Sequence, residues 1–439
     1  MARQDAAPSS PHKAEKAAFY LWLFCSFSSS HSRFLKSMLV FSYQRTKVAL
    51  AGVGKRTYDT HIVGLNMSRI NIIIPVYNVA DYLDEFFKKM EEQTYQDFTM
   101  ILVNDCSTDN SEEKILKYKE KFGERLVYIK NEKNLKLSGA RNVGLDWAEE
   151  HSAELLGYLD PDDWIDNDFY EHLVNAIDEA KADLAICGIE RYENGTNNRI
   201  CLEMCSFKQS IVDNPEKFDD IAYMNPAVYN KVYRAEAVKG IRFREVKRSE
   251  DTCYLFDILP NIKKIALTNE PKYHYRIRED SLSGAITQDR LDSMYEEFEK
   301  MYPAFKTEKY LPYKDMFETQ VFIRTACGGV SRVAFSNMKG APRNIRYAYR
   351  YLNRVMPDWR SNKYLSFRGG TTKPQTAYVK GLCVNVQDAC IYSLCLDILF
   401  CVAGNEKRYS HITRVARISE SGFEFNKGRV TIYGKEVAA

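Results

Sequence analysis

The chain has 439 residues, 45% of them hydrophobic and 28% charged, with a formal net charge of +3. Those proportions suit a globular protein with a substantial core and exclude a fibrous or disordered chain. The excess charge sits in residues 1–66, where nine Lys/Arg face three acids, leaving 53 basic against 56 acidic side chains in the rest. No folded part is basic enough to mark nucleic acid as a partner.

Eleven cysteines show neither a Cys-x-x-Cys pair nor a zinc-finger spacing, which points to thiols in a reducing, cytoplasmic setting. No apolar run has the length of a membrane-spanning helix. Residues 17–27 form a short apolar stretch before Ser28-Ser29-Ser30, yet Met67 stands directly before the first strand signal. Residues 1–66 are therefore expected to be an N-terminal extension outside the folded domain.

From Ile70 the chain alternates strand and helix signals, the pattern of an α/β sheet. Ile70–Val76 is a β-branched run suited to a buried strand. Asp81 is placed to cap a helix whose Leu83, Phe86, Phe87 and Met90 share one face. Residues 99–103 make a second strand ending at Asn104-Asp105, and Glu112 and Glu113 fall in the first turn of the next helix. Strands at 126–130, 155–159 and 183–189 follow, with a helix at 140–150. In such sheets ligands bind beyond the carboxyl ends of the strands, where both Asn104-Asp105 and Asp160-Pro161-Asp162-Asp163 stand. Beyond residue 300 the alternation stops. Residues 305–358 read as helical, and the apolar 382–403 as a core helix or one lying on a membrane surface.

The acid cluster is the strongest local signal. Three carboxylates within four residues repel one another unless donors or a cation compensate, and a hard divalent ion shared with phosphate oxygens does so. Asp-Pro and Asp-Asp are also ordinary turn chemistry. A second acidic pair, Glu250-Asp251, follows Lys247-Arg248-Ser249. Asp251 has the chemistry of a general base, while Ser249 as an N-cap with two acids in the first helical turn explains the same residues structurally.

Four ordered motifs carry a resemblance. Ile73-Ile74-Pro75-Val76-Tyr77-Asn78, Val103-Asn104-Asp105-Cys106-Ser107-Thr108-Asp109-Asn110-Ser111, Gly139-Ala140-Arg141-Asn142-Val143-Gly144 and the Asp cluster appear in the order typical of family 2 glycosyltransferases. The similarity covers about residues 68–285. It implies the GT-A fold, a Rossmann-like, mixed but mostly parallel sheet flanked by helices, over residues 67–300, with a mainly helical region at 301–439. It also implies inverting transfer from a nucleotide sugar, UDP-linked, to a glycan or lipid-linked glycan acceptor, with Mn2+ or Mg2+ as cofactor. By motif position, Pro75, Tyr77 and Asp105 are expected at the nucleoside, Arg141 near the nucleotide, Asp160 at the ribose and Asp162 on the metal. Asp251 is expected as the catalytic base. His274, between two tyrosines, is a second metal candidate or a structural residue, and Arg276 and Arg278 either offset diphosphate charge or are solvated. Work on surface polysaccharide at the inner face of the membrane, with peripheral membrane contact, fits that family.

Two departures stand out: Cys106 replaces the glycine of the usual Asp-Asp-Gly, and Leu135-Lys136 follow Asn134 where a glycine is usual. Other classes fit less well. A sugar nucleotidyltransferase normally has a Gly-rich loop where Pro75-Val76-Tyr77-Asn78 stands, and no Gly-x-Gly-x-x-Gly supports a dehydrogenase. A non-catalytic partner of another transferase is disfavoured by intact Asp160, Asp162 and Asp251.

Overall fold

The computed structural model describes residues 68–196, 198–278, 287–325 and 341–364, and the backbone of three short strands between 424 and 437. Residues 1–66 and the apolar 382–403 lie outside the described residues.

The sheet is mixed and ten-stranded. Its parallel block is β3 (Leu126–Lys130), β2 (Phe98–Asn104), β1 (Ile70–Val76) and β4 (Leu155–Tyr158), in that spatial order. The sheet continues through β9 (Lys231–Arg234), antiparallel to both β4 and β6 (Leu184–Glu193), then through the long β10 (Ile265–Ile277), parallel to β6. The two-residue β5 (Trp164–Ile165) closes the edge antiparallel to β10. β7 (Arg199–Glu203) pairs with β6, and β8 (Ile211–Val212) with β10.

Every residue of β1 and β2 is buried. Such continuous apolar strands need helices on both faces to cover them. Helix α1 (Ala80–Glu91) does so through Leu83, Phe86, Phe87 and Met90, one stripe at helical spacing. Asp81 lies in its first turn and is not its cap. The start of the helix is held from outside, by Ser111 Oγ accepting from the Val79 amide (3.1 Å) and Asp109 accepting from the Ala80 amide (2.9 Å). The orphan amides of a helix start can thus be satisfied by a distant loop, which spacing alone does not reveal. Helix α2 (Ser111–Phe122) begins at that same loop.

Helix α3 (Lys136–Glu150) carries Arg141 and lies close on β1. A Cβ at Gly144 would sit 2.5 Å from Ile73 Cγ2, closer than carbon atoms approach, so only glycine permits this helix–strand distance. Helices α4 (Phe169–Ala180), the short α5 (Ala235–Val238) and α6 (Glu250–Ile258) complete the layers.

After residue 286 the described helices are α7 (Gln288–Met301), α8 (Lys314–Phe322) and α9 (Ala341–Val355), the last two within the stretch 305–358 read as helical. Met294, Phe298, Phe317 and Trp359 belong to the same buried cluster as Ile70 and Leu83, so the described helices extend the core of the sheet. Gln320 ties them in by donating to the carbonyls of Ala222 and Met224. Residues 424–437 add the antiparallel strands β11 (Glu424–Asn426), β12 (Arg429–Ile432) and β13 (Lys435–Val437). Among the described residues no helix is long and apolar enough to cross a membrane.

Candidate active site

The carboxyl ends of β1, β2 and β4 carry the motif residues. Pro75 pairs with Val103 inside the sheet, and Tyr77 emerges just beyond, half exposed. Asp105 is buried, its Oδ1 accepting from Asn131 Nδ2 (2.8 Å) and the Leu135 amide (2.7 Å). It therefore joins the ends of β2 and β3 to the entry of α3. Both departures from the family pattern keep a glycine-like backbone: Cys106 and Lys136 each adopt φ 63°, as Asn78 does at 53°. A left-handed non-glycine residue costs about 1–2 kcal/mol. At two of these places a side-chain bond holds the turn, Asn78 Oδ1 accepting from the Thr108 amide (2.7 Å) and Cys106 Sγ lying 3.2 Å from the Asn131 carbonyl.

Beyond β4 the chain turns at 160–163, closed by the Asp163 amide donating to the Asp160 carbonyl. Asp163, which the motif left without a task, anchors this turn to β10. It accepts from Tyr273 Oη (2.6 Å) and the Arg276 amide (2.8 Å). Burial and the neighbouring charge of Asp162 raise its pKa well above the ordinary carboxylate range. Arg276 donates to the Asp162 carbonyl, pairs with Glu85 and lies over the Trp164 ring (4.8 Å). The Asp162 carboxylate faces Arg278 Nη2 at 2.5 Å.

Arg141 forms the centre of the site. Its side chain is 2% exposed and meets three acids: Asp160 (3.1 Å), Asp251 (3.2 Å) and Glu250 (3.3 Å). Phe243 lies under the guanidinium (5.2 Å) and stacks in turn on Tyr254. Burial works against the charge of Arg141, but Asp160, Asp251 and Glu250 outweigh it and hold the guanidinium protonated. Asp160 and Asp251 were expected to serve opposite ends of a reaction, and one buried cation connects them.

Asp251 sits in the first turn of α6. Burial, then the adjacent Glu250, push its pKa above the ordinary value, while Arg141 opposes the rise. Its side chain keeps 24% of its surface accessible, so the carboxylate is largely desolvated yet reachable. Ser249 occupies the N-cap position in a left-handed conformation, but its hydroxyl points to Met294 Sδ and does not cap. Arg324, two residues past the end of α8, reaches the first turn of this helix and donates to Thr252 Oγ1 (3.2 Å). Nothing in the sequence marked Arg324, because its partner lies 72 positions away. Glu250 stood in the acidic pair, yet helix-dipole chemistry already accounted for it.

His274 stands apart from these groups. Its ring stacks on its cross-strand neighbour Trp164, with Nε2 2.7 Å from Asp166 and Nδ1 3.2 Å from Glu190. Strand pairing, the Trp164 stack and the Asp166 contact fix the ring where it is, and among the described residues His274 joins no cluster of three or more possible metal ligands.

The turn can accept a cation. Burial raises the pKa of Asp160 and of Asp162, and the charge of Asp160 adds to the rise at Asp162. Carboxylates are the hard oxygen donors of Mg2+ or Mn2+, which take one or two and complete their shell with phosphate and water; in this structure Arg141 and Arg278 face the two acids. Among the described residues no group of three or more His, Cys, Asp or Glu side chains forms a full protein cage.

A mixed, mostly parallel sheet flanked by helices, with acids at the carboxyl edge of its parallel block, has the architecture of the GT-A fold. Residues 71–236, somewhat over a third of the chain, match the family described as Glycosyl transferase family 2. Among curated relatives, the glycosyltransferase GlyA of Streptococcus pneumoniae is 29% identical over 59% of this chain and 39% of its own length. The minor teichoic acid biosynthesis protein GgaB of Bacillus subtilis is 33% identical over 49% of this chain and 24% of its own. The chain thus spans well under half the length of these relatives. A crystal structure of Staphylococcus aureus TarS 1-349 in complex with UDP-GlcNAc shares the fold, with a TM-score of 0.56 and 19% identity over 84% of this chain and 99% of that one.

Proposed function

We propose that this protein transfers a sugar from a UDP-sugar to an acceptor hydroxyl with inversion at the anomeric carbon. The observation that carries the reading is the bridge from Asp160 through Arg141 to Asp251. It ties an acid at the expected nucleotide edge to a desolvated acid that remains accessible, the two groups that an in-line displacement must keep in register.

Tyr77 and Asp105 receive the nucleoside, and Asp160 faces the ribose. Asp162, now paired with Arg278, would hold a divalent cation, Mn2+ or Mg2+. When bound, such a cation supplies Lewis-acid stabilisation of the departing diphosphate. Arg276 and Arg278 lie beside the same turn and offset phosphate charge. Asp251 takes the proton of the acceptor hydroxyl as its oxygen bonds to the anomeric carbon, and the bond from that carbon to the phosphate oxygen breaks, releasing UDP. The raised pKa of Asp251 suits this work, because a base is most effective when its pKa lies near the working pH. His274 is assigned a structural role and no metal.

The names of the relatives, GgaB in teichoic acid biosynthesis and TarS as a poly(ribitol-phosphate) N-acetylglucosaminyltransferase, support an acceptor of the surface-polysaccharide class, glycan or lipid-linked. Cytoplasmic action at the inner membrane face belongs to the same proposal. The test is UDP release from UDP-glucose, UDP-galactose and their N-acetylamino analogues with Mn2+ or Mg2+, against an EDTA control. Asp251→Asn should abolish transfer while UDP still binds. Turnover in that variant close to the parent's would remove Asp251 as the base.

A further inference from the structure

Strand β9 opens with Lys231, whose residue is 1% exposed. Among the described residues its Nζ has hydrogen-bond partners but no carboxylate within ion-pair distance. The ammonium donates to Asn230 Oδ1 (2.9 Å), the Asn225 carbonyl (3.3 Å) and the Ala227 carbonyl. An ammonium buried among neutral acceptors costs several kcal/mol, and an apolar side chain at this position would avoid that cost. What it does in return is visible in its neighbours.

The segment 225–230 wraps around the ammonium. Asn225 Oδ1 accepts from the Ala227 amide (3.0 Å), and Asn225 Nδ2 reaches Glu203 (2.7 Å). Asn230 Nδ2 donates to the Cys187 carbonyl (2.6 Å). Tyr229, from the same segment, stacks on Tyr273 (4.2 Å), whose hydroxyl holds Asp163. The segment is thus clamped between Lys231 and the acid turn. The titratable groups acting on Lys231 are Asp251 from α6 and the Cys187 thiol from β6, both favouring its protonated form. Burial outweighs them and brings its pKa down to about 7.

We propose that Lys231 is a positioning residue of the transfer site, whose ammonium gathers the 225–230 segment from within and whose charge interacts with that of Asp251. The proposal rests on the reading of Asp251 as the base. It gives the 225–230 segment a charge-dependent shape.

Two measurements test it. The first needs no turnover: a pH titration of the lysine signals in protein labelled at lysine Cε, followed by NMR in the parent and in Asp251→Asn. The Lys231 signal should titrate near neutrality, and its midpoint should fall by about half a pH unit or more in Asp251→Asn, where the anion that retained the proton is gone. An unchanged midpoint overturns the electrostatic link. The second compares Lys231→Met and Lys231→Arg in UDP release from the best donor of the screen. Lys231→Met should lower kcat about tenfold or more and move the acid limb of the profile to higher pH, with UDP affinity within about twofold of the parent. Lys231→Arg, charged at every working pH, should recover much of the rate and extend activity into alkaline solution. A purely structural lysine would leave the limbs of the profile in place, and that result overturns the proposal. Should Lys231→Met not fold, the titration and Lys231→Arg decide the matter. Activity retained in Asp251→Asn would instead refute the base assignment, a separate outcome from either of these.

Discussion

Arg141 and Asp251 meet at 3.2 Å inside the protein, although 110 positions separate them in the chain. The contact joins α3, which packs on β1, to α6, which lies in the chain between β9 and β10. Position in space, more than either residue's chemistry alone, makes the pair informative.

Replacing Arg141 should be severe. Removing one partner of a buried ion cluster leaves uncompensated charge and costs about 3–5 kcal/mol. Arg141→Met should lower unfolding stability by about that amount in urea titrations and abolish transfer. Arg141→Lys should restore little, because one ammonium cannot reach Asp160 on one side and Glu250 and Asp251 on the other as a planar guanidinium does.

The pH dependence follows from the direction of the Asp251 shift. A base must be ionised, so turnover should rise with pH through an apparent pKa well above the ordinary aspartate value. Stability runs the opposite way. A carboxyl whose pKa is higher folded than unfolded binds its proton more tightly in the native state, so its contribution is complete below the unfolded value and is lost as pH rises through the folded one. The stability of the parent relative to Asp251→Asn should therefore improve as pH falls, as thermal unfolding at several pH values would reveal.

Asp163 and His274 separate bracing from metal binding. Asp163→Ala removes the acceptor for Tyr273 Oη and the Arg276 amide, and should cost about 1–3 kcal/mol for the donors left buried. It should also weaken UDP binding by loosening the acid turn. His274→Gln should leave Mn2+ affinity, measured by calorimetry with UDP present, within about twofold of the parent, whereas Asp162→Asn should weaken it by about tenfold or more. Equal losses in the two variants would return His274 to the metal.

Gly144→Ala tests the close approach of α3 to β1. The added methyl would lie 2.5 Å from Ile73 Cγ2, and relieving that overlap should cost about 1–3 kcal/mol. Because α3 carries Arg141, donor turnover should fall with stability.

Much of this architecture was legible in the sequence. The β-branched runs of β1 and β2 and the apolar stripe of α1 identified themselves, since burial on both faces leaves a continuous apolar strand and burial on one leaves a helical stripe. β9 and β10 did not. Lys231 at the head of β9 and the polar, proline-containing Thr268-Asn269-Glu270-Pro271-Lys272 stretch inside β10 broke the pattern, because those positions serve loops and bulges as well as the sheet. At the site, residue types marked the acid cluster, and the family resemblance singled out Asp160, Asp162 and Asp251, while the tertiary partners stayed hidden. Arg278 on Asp162, Tyr273 on Asp163 and Arg324 beside Thr252 are separated from those partners by 116, 110 and 72 positions. Cys106 and Lys136 show the reverse case, where a changed residue preserves the backbone shape.

The reach of Arg141 has a consequence for how chains of this fold diversify. The family match ends at residue 236, before Glu250 and Asp251, so Arg141 pairs across that boundary, while Arg324 and its partner Thr252 both lie beyond it. On the proposed reading the donor and acceptor halves are consecutive blocks, stitched together by Arg141. Exchanging residues 237–364 between related chains should redirect which hydroxyl is glycosylated and spare the choice of nucleotide, provided the exchanged block keeps the acids that Arg141 pairs with.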